Sequence, residues 1–226
     1  MFYFWFFLGL FANIAFSASV TEVSVHRSLT HKSVSLESIT CHILQLYLAL
    51  MTGLQRIIWR FIHERHHANT DTILDPTAPF KFGKWGVWKV FFFVAFYYRR
   101  YIREHKTEFL EYQKKHGRNW IDYMQVVVRY GSGGFLILWY FFGVWGALYW
   151  LLHEIGYLLV YGYVSSFVHS GKEMNGSIGR SVNKVFAALL TGGGSLHETH
   201  HHFPGRPNFS TKWYELDPGW WLICCL

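Results

Sequence analysis

Residues 2–20 read FYFWFFLGLFANIAFSASV, without one charged side chain. As a helix rising about 1.5 Å per residue, the stretch covers about 30 Å, the depth of a bilayer's hydrocarbon. Ser17-Ala18-Ser19 offers the small residues of a leader-cleavage site, but no Lys or Arg precedes the stretch as in a secretory leader. The expectation is a retained membrane span running to about Val25.

The rest of the chain agrees with that reading. Of its 226 residues 51% are hydrophobic and 20% aromatic, and only 15% are charged, against about 25% in soluble domains. Gly133 to His169 holds a single charge, Glu154. That tract is roughly twice one membrane thickness, which predicts two short crossings with a turn near His153-Glu154-Ile155-Gly156. Leu36 to Trp59 is apolar, with Glu37 and Arg56 near its ends. Trp85 to Tyr98 is aromatic, carries Lys89 and is short for a span, so it reads as interfacial. Arg99 to His116 reads as a polar helix. The predicted fold is all-α: one domain over 1–226, with about three spans (2–25, 132–150 and 153–168) and metal-binding regions at 26–131 and 169–226.

The net charge of +7 fits the positive-inside bias and anionic headgroups as partners; nucleic acid would explain the charge but not the spans. Cys41, Cys224 and Cys225 show no CxxC spacing, which argues against thiolate ligation of a metal.

The 14 histidines carry the chemistry. His26 and His31 lie in HRSLTH, His63, His66 and His67 in HERHH, and His197, His200 and His201 in HETHH; His169 stands alone after the last apolar tract. On a helix, positions i, i+3 and i+4 share a face, so each HxxHH triad is expected to point one way. Neutral imidazole suits iron, zinc, copper and nickel. Two triads, a pair and one more histidine could fill the shells of two metals. His42, His105, His116, His153 and His202 are expected to lie outside this set. Ligands to shared metals must lie on one side of the bilayer, so Leu36–Trp59 is predicted to dip in without spanning. The basic residues beside the boxes point to the cytoplasmic side.

HRSLTH, HERHH and HETHH in that order resemble the histidine boxes of membrane fatty acyl desaturases, most closely the acyl-CoA (stearoyl-type) branch. WRFIHERHHANTDTILDP (59–76), YVSSFVHS (163–170) and LTGGGSLHETHHHFP (190–204) are similar to that family's segments. The resemblance covers about residues 20–215 and implies two iron ions, with O2 as co-substrate. The implied ligands are His26, His31, His63, His66, His67, His169, His197, His200 and His201. It also implies an acyl-CoA or another acyl-carrier or lipid substrate, and an electron donor such as cytochrome b5 or a ferredoxin.

Asp75, Ser165 and Glu22 are candidates for contact behind the ligands. Ser165 stands where the family has an Asn that holds a metal-bound water. Glu22, four residues before His26, could ligate, orient a histidine or sit in solvent. The family usually has two spans ahead of its first box, where this sequence has one. A related hydroxylase, ketolase or acetylenase would use similar boxes. A non-catalytic membrane protein that binds or transports zinc is a further alternative; a transporter would need polar residues along its spans, and these spans are nearly free of them.

Overall fold

The computed structural model describes residues 1–127, 131–172 and 179–226; the single domain expected over 1–226 also includes 128–130 and 173–178, which lie outside the described residues. Among the described residues the regular secondary structure is helical, apart from one isolated bridge between Asn183 and Leu196. The α-helices are α1 (Phe2–Thr21), α2 (Ser38–Met51), α3 (Arg56–Ala68), α4 (Gly86–Glu104), α5 (Lys106–His116), α6 (Trp120–Val127), α7 (Ser132–Ser166), α8 (His197–His202) and α9 (Pro218–Cys225). Two helical stretches, Phe2–Thr30 and Ser132–His169, are long and apolar enough to cross a membrane, and the bent pair α2–α3 would make a third if it is one span.

α1 exposes Phe2, Phe4, Trp5, Phe7 and Phe11 and buries Leu10, Ile14, Ser17 and Ala18. Its buried face packs on α7 through paired polar groups: Ser17 Oγ lies 2.9 Å from His153 Nε2 and Thr21 Oγ1 2.8 Å from Tyr157 OH. Such pairs satisfy each other where lipid offers no partner. His153 is thus a structural histidine.

α7 is two arms rather than one rod. Gly143 adopts φ 55 and ψ −137, a conformation that only glycine takes without strain. The chain reverses there, so the ring of Phe135 lies 5.5 Å from that of Trp150. The turn expected at His153-Glu154-Ile155-Gly156 is therefore corrected: those residues are helical, and the spans drawn at 132–150 and 153–168 become arms of 132–142 and 144–166. Hydropathy could not locate this turn, because both sides of it are equally apolar.

α2, of 14 residues, is about 21 Å long, short of the hydrocarbon depth. It meets α3 at a bend of 97°. α4 exposes Trp88, Phe92, Phe93 and Phe96 and packs along the second arm of α7. Gly162 of that arm meets the Phe91 carbonyl so closely that an added Cβ would lie 1.9 Å from its oxygen.

Candidate metal centre

α1 does not stop at the end of its apolar run. It passes into a π-helical stretch, Glu22–Thr30. Five residues along an α-helix turn through about 500°, which would put His26 and His31 on different sides. The wider winding stacks them: His31 N donates to His26 O at 3.0 Å, and the two rings lie 4.9 Å apart. An HxxxxH pair needs this local distortion, of a kind frequent at functional sites.

α3 presents the second box by pinning its opposite face. Phe61 is fully buried against Phe109 and Tyr112 of α5. Arg60 donates to Glu64 at 2.7 Å, Tyr112 OH donates to Glu64 at 2.8 Å, and Arg65 pairs with Glu108. Glu64 therefore faces away from the histidines. Trp59 stacks on His63 at 4.5 Å.

α8 presents the third box after a glycine turn. Gly193 has φ 92, and a Cβ there would lie 2.3 Å from Asp217 Oδ1. Asn183 brackets the helix start, with its amide donating to Thr199 Oγ1 at 2.8 Å and its oxygen accepting Thr199 N at 3.2 Å. His169 ends a short 3-10 turn, Phe167–His169, directly after α7.

The nine histidines converge as two clusters: His26, His31, His63, His67 and His200; and His66, His169, His197 and His201. Each HxxHH triad is split. The i,i+4 pair stays together and the i+3 histidine crosses to the other cluster. The expectation that each triad points one way is corrected accordingly: adjacent residues on a helix diverge by about 100°, enough to divide two neighbouring sites.

All nine histidines present Nε2. In the first cluster, His31 lies 2.9 Å from His63, His63 3.0 Å from His67, His67 2.8 Å from His200 and His200 3.0 Å from His26. In the second, His66–His201, His201–His197 and His197–His169 span 3.1, 3.1 and 2.9 Å. Hydrogen bonds do not account for these contacts. An Nε2 carries either one hydrogen or one lone pair, yet His63, His67, His200, His197 and His201 each meet two neighbours. Two nitrogens about 2.1 Å from one cation and at right angles lie about 3.0 Å apart. The donor sets therefore fit one metal ion each.

The outer nitrogens support this. Nδ1 of His26 meets Glu22 Oε2 at 2.5 Å, Nδ1 of His66 meets Asp75 Oδ2 at 2.9 Å, and Nδ1 of His169 meets Asp71 Oδ2 at 3.0 Å. His197 Nδ1 faces the Gly194 carbonyl at 3.1 Å. Each partner accepts the Nδ1 hydrogen and leaves the Nε2 lone pair pointing inward. Burial, with the neighbouring imidazoles, holds His197, His200 and His201 well below the ordinary histidine range. They are neutral at pH 7, the form that ligates.

Glu22 and Asp75 thus touch histidines of the set. Ser165 lines a cavity beside both clusters, with Glu22, Tyr98, Val160, Tyr161 and Thr191. His202 is exposed, and His42, His105, His116 and His153 lie in neither cluster. Sequence reasoning missed Asp71, although it sits in the same NTDTILDP run as Asp75. It also missed Arg27 and Asp217, which are buried and paired at 2.8 Å.

The sequence model of the fatty acid desaturase family matches residues 2–223. Similar proteins include the "Acyl-CoA C20 Delta5-desaturase" of Anemone leveillei, 28% identical over 90% of this chain and 64% of its own length. The "Delta-9 desaturase-like 1 protein" of Arabidopsis thaliana is 30% identical, over 96% of this chain and 71% of its length. The "sn-2 palmitoyl-lipid 9-desaturase" of Nostoc sp. (strain 36) is 26% identical, over 98% and 79%. The chain spans just under two thirds of the length of the Anemone leveillei relative.

Proposed function

The chain belongs to the fatty acid desaturase family, and from that premise we propose that it is a membrane oxidoreductase that introduces a double bond into a saturated acyl chain. The observation that carries the reading is the pair of convergent Nε2 clusters. Desaturation converts –CH2–CH2– to –CH=CH– while O2, two electrons and two protons become two waters. No side chain is a strong enough oxidant for an unactivated methylene; two iron ions, when bound by these nine histidines, supply that chemistry with O2.

The protein's own residues do the rest. Glu22, Asp71 and Asp75 hold the tautomers of His26, His169 and His66. Ala18, Val160 and Val164 give the cavity apolar walls next to both clusters, where an acyl chain entering from lipid would be held in one register. Electrons come from an external donor such as cytochrome b5 or a ferredoxin. The acyl group is carried on CoA, another carrier or a lipid. The basic residues beside the boxes support a cytoplasmic metal site.

The test is expression in a host of defined lipids, followed by fatty-acid profiling. A new unsaturated species is expected, lost together with bound iron in His63→Ala and His200→Ala; full activity in either variant refutes the assignment. Glu22 and Ser165 in the cavity wall favour a second outcome, hydroxylation, in which 18O from O2 stays in the lipid product rather than leaving as water.

A further inference from the structure

His169 is the one histidine of the set with no box around it. It closes a 3-10 turn, and its ring is set from outside. Its Nδ1 donates to Asp71 Oδ2 at 3.0 Å, and the same oxygen accepts the Arg180 backbone N–H at 2.6 Å. Both side chains are buried, 3% exposed for His169 and 2% for Asp71.

Asp71 has φ 52, the left-handed region, which glycine takes freely and which aspartate takes as a single residue only at some cost in strain. Among the described residues only Lys32 shares this feature outside glycine, and Lys32 is exposed. Glycine would suit the backbone at position 71, yet a buried aspartate stands there. Such strain persists where the side chain is needed. Asp71 is also tied to its neighbour: its N–H donates to Asp75 Oδ2 at 2.8 Å, the oxygen that holds His66. The loop is thus one bracket behind two of the four histidines His66, His169, His197 and His201.

We propose that Asp71 is the positioning residue of the four-histidine cluster, holding the ring plane and tautomer of His169. The proposal rests on the metal reading above. Asp71 contacts His169 of the four-histidine cluster and, among the described residues, no histidine of the five-histidine cluster. The four-histidine cluster loses a quarter of its donors if His169 swings away. Changing Asp71 therefore empties one metal position and leaves the other filled.

The test uses the full chain in detergent, as wild type, Asp71→Gly and Asp71→Asn, loaded with ferrous iron without oxygen. Iron per chain, Mössbauer spectra and the melting of the metal-free protein are measured. Asp71→Gly relieves the backbone but strands the His169 Nδ1–H and the Arg180 N–H, so it should melt within a few degrees of wild type and hold one iron where wild type holds two. Asp71→Asn, whose amide oxygen still accepts from Nδ1, should keep the second iron about tenfold more weakly, with one Mössbauer signal altered and the other unchanged. Two irons at wild-type affinity in Asp71→Gly overturn the proposal. So does a variant that melts far below wild type and loses both irons together, since that is a general structural role. A wild-type chain that takes up no iron overturns the metal reading, and this proposal with it.

Discussion

Replacing Asp217 by leucine should destabilise the protein more than replacing Arg27 and Asp217 together. Arg27 is fully buried and Asp217 is 1% exposed, with Nη2 and Oδ1 2.8 Å apart. The carboxylate also accepts the Trp220 N–H at 3.0 Å, capping α9, and the Phe209 N–H at 2.8 Å. The guanidinium lies 4.1 Å over the Phe209 ring, and its Nε and Nη1 have no hydrogen-bond partner among the described residues. The Asp217→Leu change strands a buried cation, at a cost of about 3–5 kcal/mol; the lost cap falls partly within that figure, being about 1 kcal/mol by itself. Arg27→Met/Asp217→Leu removes both charges, so the lost cap and the stranded Phe209 N–H, about 1 kcal/mol each, should remain. For a chain of this size each kcal/mol moves the melting midpoint by about 2–4 °C. The single change should lower it by about 6–20 °C and the double by about 4–8 °C. Thermal unfolding in detergent, followed by size-exclusion fluorescence, measures both. Equal midpoints for the two variants, or an Asp217→Leu variant within about 2 °C of wild type, would refute the reasoning. The pair bears on the site because the Phe209 ring packs 4.9 Å from that of His200 and 5.8 Å from that of His26.

Two further outcomes follow from packing and from burial. Gly162→Ala puts a methyl group into the Phe91 carbonyl, so α4 and α7 must separate; a loss of about 1–3 kcal/mol is expected, and an unchanged melting midpoint would show that the helices do not touch there. Burial pushes His31 down to about 4, while its unfolded imidazole titrates near 6.5. Between those values the unfolded chain binds a proton that the folded one does not. The metal-free protein should therefore lose stability as pH falls from about 6.5 towards about 4; a flat profile over that window, with His31→Phe as control, counts against the burial of this ring.

Much of this architecture is written locally. Residues 2–20 need only their length and lack of charge to be read as a span, because hydrocarbon excludes charge whatever the neighbouring helices do. The three boxes are legible because metal ligation needs particular side chains in number, and nine such histidines at short spacings are conspicuous. What stayed hidden depends on where separate segments meet. The reversal at Gly143 sits in a uniformly apolar tract, so only the packing of Phe135 on Trp150 reveals it. Periodicity shows that His63, His66 and His67 neighbour one another; it does not show that His66 turns to His201 while His63 turns to His31. Asp71 looks like any loop aspartate until His169, 98 positions away, is found against its carboxylate. The sequence alone determined the span, the histidine donors and their chemistry, because these depend on side-chain type and local spacing. Only the tertiary structure decided how the donors divide between two clusters and which carboxylates stand behind them, because those contacts join residues that chain proximity does not relate.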